Sequence, residues 1–219
     1  MSTKTASKRQ QKTNSSLLWW ILGGVAGLSL IVWLAFAIAG EQPLDDTIAF
    51  GEVSVEGENL PFFDSSAADP AIGLTAPTVT GQTLDGSELT IGPSDTAKII
   101  VMVAHWCPHC QREVPLIQQW VDSGGLPDGV ELYGVTVLTN RLRDGSTWPP
   151  KDWLEGEGWT IPTIMDDESG SVVSAYGLTS TPTYVVLGPD NENLGRVAGE
   201  IGTAGLTSLA QTAADTLES

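Results

Sequence analysis

Only two cysteines occur in the 219-residue chain, and they stand three apart in Trp106-Cys107-Pro108-His109-Cys110. Two thiols at that spacing can exchange electrons with a partner's disulfide, provided one of them is held as a thiolate. Ahead of them runs Lys98-Ile99-Ile100-Val101-Met102-Val103-Ala104, apolar and β-branched enough for a strand buried on both faces. Behind them, Val114, Ile117 and Val121 recur at helical spacing. The pair therefore falls where a strand hands over to a helix. Unpaired N–H groups and the positive end of the helix dipole favour a thiolate there. Cys107, at the helix edge, is expected to be the accessible nucleophile, and Cys110, one turn in, the buried resolving thiol. Pro108 fits the first turn, where the N–H it lacks would have no partner. His109 is the expected tuning residue. An imidazole beside the Cys107 sulfur lowers its pKa, and a stabilised thiolate makes the disulfide a stronger oxidant. Trp106 shields the thiolate, offers a docking surface, or simply packs.

The same residues admit other chemistries. The cysteines could form a static structural bridge on a membrane-tethered scaffold. His105, Cys107, His109 and Cys110 could hold copper or zinc, but they crowd into six residues and the chain has no distant second ligand pair, so no metal is expected. Gln111 after Cys110, where a histidine would be needed, excludes the simple covalent haem pattern. The redox-active Cys107–Cys110 disulfide needs no cofactor.

Trp-Cys-x-x-Cys after an apolar strand, with Pro115 five positions on, resembles the thioredoxin superfamily. So does Thr181-Pro182-Thr183 ahead of Tyr184-Val185-Val186-Leu187. The resemblance implies a cis-proline at 182 facing the redox pair, with Thr181 and Pro182 offering a strand edge to an extended substrate peptide. The long interval between Cys107 and Pro182 is similar to the TlpA-like branch, which has an extra strand–helix unit there. Ala76-Pro77, Leu84-Asp85-Gly86, Met165-Asp166-Asp167 and Ala175-Tyr176-Gly177-Leu178 add to the likeness. It implies an α/β thioredoxin-like fold, a central mixed sheet flanked by helices, in a membrane-anchored thiol–disulfide oxidoreductase. One position departs from the pattern: the family's buried acid, six residues before the first cysteine, is Val101 here. Glu113, one turn beyond Cys110, could relay a proton instead; a solvated place on the helix face is its plainer alternative. The Pro-His dipeptide resembles that of DsbA-type oxidants, whereas the layout resembles TlpA-like reductases of cytochrome maturation. The expectation leans toward oxidation.

Charge and hydropathy say where this chemistry takes place. The net charge is −17, yet residues 1–40 hold four bases and no acid, which leaves 27 acids against six bases in the rest. Such a body repels nucleic acid, so none is expected as a partner. Residues 1–16 form a basic tail. Residues 17–39 are uncharged and, at about 1.5 Å per residue, long enough as a helix to cross a bilayer. Trp19 and Trp20 suit the interface, and the basic flank belongs in the cytoplasm, which puts the remainder outside. Ala37-Ile38-Ala39 resembles a cleavage site, but a signal's apolar region runs about 7–15 residues, so a retained anchor is expected. Residues 40–69 read as an acidic linker, with an edge strand at 48–55 as the alternative, and residues 70–219 as the folded domain. The partners expected are protein thiols and disulfides and a membrane redox protein that recycles the pair.

Within the domain, a hairpin is expected around Asp85-Gly86. Strands follow at 130–138, 161–165, 184–187 and 194–198, with helices at 151–157, 169–176 and 203–217. Gly177 should end the second of these helices. Trp148, Trp153 and Trp159 line a groove or belong to the core.

Overall fold

A computed structural model describes residues 49–143 and 145–218. The basic tail, the apolar stretch at 17–39 and the start of the acidic linker lie outside the described residues, and the expected membrane helix with them. Among the described residues no helix is long and apolar enough to cross a membrane.

The first three strands, β1 (Val53–Glu56), β2 (Thr78–Gln82) and β3 (Glu88–Ile91), form an antiparallel sheet in the order β1-β2-β3. The next strand, β4 (Ala97–Val103), is the axis of the fold, with all seven residues buried. Helix α1 (Pro108–Asp122) leaves its end. Strand β5 (Val130–Thr136), helix α2 (Pro150–Gly156), β6 (Thr163–Met165) and helix α3 (Ser171–Ala175) follow. Strands β7 (Thr183–Leu187) and β8 (Asn193–Ala198) and helix α4 (Gly202–Ala214) come next, and a short 3-10 turn at Asp215–Leu217 follows. The second sheet runs β6-β5-β4-β7-β8. It is parallel across β4–β5 and β5–β6 and antiparallel across β4–β7 and β7–β8, which is the expected mixed sheet.

Alternation explains why β4 is apolar throughout. Ile99, Val101 and Val103 pack with Cys110, Val114, Ile117 and Trp120 of α1 and with Leu206, Ala210 and Ala213 of α4. Ile100 and Met102 face the opposite core, with Val79, Ile91, Val135, Ile164 and Val172. Trp153 and Trp159 belong to the first core.

The domain begins before residue 70. Strand β1 pairs with β2, and Leu60 and Phe63 are buried. The Leu60 N–H donates to the Ala175 carbonyl at 2.9 Å, and the Phe63 N–H to that of Gly177 at 2.8 Å. Arg196 of β8 grips this segment. Its Nη2 and Nε donate to Asp69 at 2.5 and 3.0 Å, and Nη1 donates to the carbonyls of Pro61 and Tyr176, each at 2.8 Å. The acidic composition of 40–69 reads as a solvated tether. The apolar anchors inside it and the distant cation that fixes Asp69 have no local signature. Gly177 shows the same contact from the other side. It ends α3 with φ +62°, and a Cβ there would stand 2.3 Å from the Pro61 carbonyl.

Four elements are shorter than their sequence patterns, and α4 ends at Ala214 rather than 217. Strand β5 stops before Leu138, whose φ is +51°, and β6 starts only after Pro162. Helix α3 starts at Ser171 rather than 169, with its first amides held by the buried Asp166. The Asp166 carboxylate accepts the N–H groups of Asp167, Val172 and Val173 at 2.8–3.2 Å. Burial outweighs those bonds and raises Asp166 to about 6. A carboxyl raised on folding stabilises the protein below its ordinary value and loses that contribution as pH rises through the folded one. Relative to the non-titrating Asp166→Asn protein, the natural chain should therefore lose about 3 kcal/mol between about pH 4 and pH 7. Urea melts of both across that range check this. A pH-independent difference would mean that Asp166 titrates normally.

Candidate active site around the cysteine pair

The apolar run ends at Ala104, and three residues later Cys107 is the N-cap of α1, with φ −81° and ψ 117°. Pro108 opens the helix. The Cys107 carbonyl accepts the Gln111 N–H at 3.1 Å, and the Cys110 sulfur accepts the Ala104 N–H at 3.4 Å. Both cysteines are free thiols. Cys110 is fully buried and Cys107 is 5 % exposed. The nucleophile expected to lie open is therefore almost wholly covered. What covers it is the segment before β7: the Thr181–Pro182 peptide is cis, and the Cys107 thiol donates to the Thr181 carbonyl at 3.3 Å.

The two thiols differ strongly in acidity. Burial alone would raise Cys107. The Thr181 side chain, the Cys110 N–H and thiol, and the His109 N–H offset this with hydrogen bonds and hold it below the ordinary value. Burial, with the charge of Cys107, pushes Cys110 up to about 12. Val101, at the position of the family's buried acid, packs in the same apolar core as both sulfurs.

The His109 N–H is thus one of the donors that favour the Cys107 thiolate. The imidazole is turned to the loop after β8, where Nδ1 meets Glu200 Oε1 at 2.5 Å. Arg112 binds the same carboxylate through Nη2 and, at 3.2 Å, through Nε. Arg112 also stands 3.0 Å from Nδ1. One nitrogen cannot both donate to Glu200 and accept from Arg112, so with the proton on Nδ1 the guanidinium serves Glu200 alone. Glu113 is buried on the inner face of α1, contrary to the solvated alternative. Its Oε1 accepts the Tyr184 hydroxyl and the N–H groups of Ile201 and Gly202, each at 2.9 Å.

Trp106 is fixed rather than loose. Its indole N–H donates to the Leu138 carbonyl at 2.8 Å, and the Arg143 guanidinium lies 4.1 Å from its ring centroid. It walls a groove of about 430 Å³ that Leu138, Asn140 and Gly170 also line. His105 is buried, with Nε2 3.4 Å from the Asn140 N–H and its ring edge-on to Trp148. The two histidine rings thus meet different partners, Glu200 for His109 and Asn140 with Trp148 for His105. Among the described residues no three His, Cys, Asp or Glu side chains gather as metal ligands.

Tyr184, Arg112 and Glu200 were not singled out from the sequence. Tyr184 reads only as an apolar strand residue. For Glu200 the available signal is a lone carboxylate between Gly199 and Gly202 at a strand end.

Residues 67–192, more than half of the chain, match the family described as AhpC/TSA. The chain belongs to the AhpC/TSA family. The matched AhpC/TSA region contains Cys107, Cys110, Glu113, Thr181, Pro182 and Tyr184, and Glu200 lies beyond it. Over 111 residues the chain is 23 % identical to sporulation thiol-disulfide oxidoreductase A of Bacillus subtilis (strain 168), which covers 51 % of this chain and 64 % of that protein. The match thus spans just under two thirds of that relative. Among solved structures the chain is similar to StoA from Bacillus subtilis, with TM-score 0.50, 21 % identity, and coverage of 64 % of this chain and 98 % of the other. It is similar to a thiol:disulfide interchange protein of the thioredoxin family from Chlorobium tepidum TLS, with TM-score 0.51, 22 % identity, and coverage of 64 % and 94 %. A DsbF homologue from Corynebacterium diphtheriae gives TM-score 0.51, 19 % identity, and coverage of 78 % and 96 %. At these identities the likeness establishes the fold, and this AhpC/TSA chain has a thioredoxin-like one.

Proposed function

We propose that the chain is an extracytoplasmic thiol–disulfide oxidoreductase acting on protein substrates, on the oxidising side. The observation that carries this reading is the asymmetry of the pair: a Cys107 thiol of lowered pKa against the Thr181 carbonyl, and a buried Cys110 raised to about 12. The similarity to a sporulation thiol-disulfide oxidoreductase supports the same chemistry.

In the oxidising direction a substrate thiolate attacks Cys107 Sγ of the disulfide. The Cys107–Cys110 bond breaks, and Cys110 leaves and takes up a proton. A second substrate thiolate then attacks its own sulfur in the mixed disulfide, so the substrate departs oxidised and Cys107 leaves as the stabilised thiolate. In the reducing direction the Cys107 thiolate attacks a substrate disulfide, whose S–S bond breaks to release one substrate thiolate. Cys110 then deprotonates, attacks Cys107 Sγ and expels the second substrate thiolate as the Cys107–Cys110 disulfide forms. Glu113 takes the Cys110 proton in this scheme, and with Oε1 committed to three donors, Oε2 is the oxygen left for it. Thr181 and Pro182 present the strand edge to the substrate backbone. The basic tail and apolar stretch at 17–39 support a membrane anchor with the domain outside, where a redox protein of the membrane recycles the pair.

A depressed Cys107 pKa stabilises the reduced form and so raises the potential. Equilibration with glutathione should give a value nearer about −200 mV than thioredoxin's about −270 mV. Absorbance at thiolate wavelengths should place Cys107 below about 8.5. A thioredoxin-like potential would turn the reading to a reductase, and a pair inert to dithiothreitol would end it.

A further inference from the structure

The loop from Gly199 to Gly202 is pinned from two sides of the redox site. Its Gly199 N–H donates to the carbonyl of Pro182 at 2.8 Å, and the N–H groups of Ile201 and Gly202 both donate to Glu113. Gly199 at φ +95° and Gly202 at φ +61° let the backbone turn sharply enough to make all three bonds. Glu200, between these anchors, is thereby held over the first turn of α1, where its carboxylate takes Arg112 through two donors and His109 through Nδ1. His109 lies two and Arg112 five positions after Cys107, on the first turns of the same helix. Cation charge beside a thiol favours its thiolate. A carboxylate bound to the same cations cancels that field.

We infer that Glu200 is a positioning residue that restrains the acidity, and with it the oxidising power, of Cys107 by masking Arg112 and His109. This rests on the exchange reading above and adds a determinant from outside the family-matched region. Arg112 supports it, since Glu200 first and the Cys107 charge last raise its pKa, so guanidinium and sulfur feel one another. The dipeptide between the cysteines thus does not act alone. A residue 91 positions after His109 sets how much of its charge the sulfur experiences.

The test is thiolate absorbance against pH in the full-length protein, with the glutathione equilibrium measured alongside. Cys110 titrates too high to interfere. Glu200→Gln should lower the Cys107 pKa by about half a unit. It should shift the glutathione equilibrium about threefold toward the reduced protein, about 14 mV at 29.6 mV per tenfold. Arg112→Gln should move both readings the opposite way, the double variant should return close to the natural protein, and Glu200→Asp should keep the natural values. All these differences should shrink at high salt, because the three side chains are partly exposed. A purely structural role for Glu200 moves neither pKa nor potential, and an unchanged or raised Cys107 pKa in Glu200→Gln overturns the inference. Failure of the natural protein to equilibrate with glutathione counts against the exchange reading alone, because the thiolate titration still scores Glu200.

Discussion

Cys110→Ser protein should accumulate substrate proteins as mixed disulfides on Cys107, and Cys107→Ser protein should accumulate none. Both variants should turn over disulfides at least about a thousandfold more slowly than the natural chain, since a covalent mechanism has no bypass once its nucleophile or its resolving group is gone. They fail at different points. Cys107 carries the lowered thiol pKa and faces Thr181, so the first bond forms there. Cys110 is fully buried, so an incoming protein cannot reach it before Cys107 has reacted. Serine at 110 fills nearly the same space beside Ala104 and cannot displace the substrate, so the adduct persists. Non-reducing gels of cells expressing each variant, with the captured proteins released by dithiothreitol, check both outcomes. Equal trapping by the two would make Cys110 a second nucleophile. No trapping by either would leave the pair a static bridge.

Arg196→Met should destabilise the domain by about 3–5 kcal/mol, the cost of leaving one partner of a buried ion pair uncompensated. The Arg196 side chain is fully buried and that of Asp69 is 6 % exposed. The same substitution also orphans the carbonyls of Pro61 and Tyr176. In a domain of this size the midpoint should fall by about 10 °C. Asp69→Ala should cost a similar amount, and the double variant less than the sum, because it buries no lone charge. Burial alone would raise the Asp69 carboxyl, but Arg196 and the Ala71 N–H hold it below the ordinary value. Stability from such a group is complete above the ordinary carboxylate range, about 3.9, and is lost as pH falls through the folded value. The deficit of Asp69→Ala should therefore shrink in acid. Thermal melts at neutral and acid pH check this. Single-variant losses under about 1 kcal/mol would show that residues 49–69 are not held by this pair.

The sequence by itself determined what depends on short-range pattern. An apolar, β-branched run before helical spacing put the cysteines at a strand–helix junction, because burial on both faces of a strand and on one face of a helix leaves two different periods. Thr181-Pro182 ahead of a second apolar run marked the other landmark. The exposure of Glu113 was not legible. Its helical position is compatible with either face of the wheel's edge, and only the backbone of Ile201 and Gly202 with Tyr184, 71 residues on, makes it buried. The direction of the His109 ring was hidden for the same reason, since Glu200 comes from the far end of the chain. Residues 49–69 looked like tether because composition averages over the few side chains that matter there. Leu60, Phe63 and Asp69 gain their meaning from Ala175, Gly177 and Arg196. Period and composition are properties of neighbours along the chain, whereas charge pairing and cover are set by whichever distant segment the sheet brings alongside, and no local rule encodes that choice.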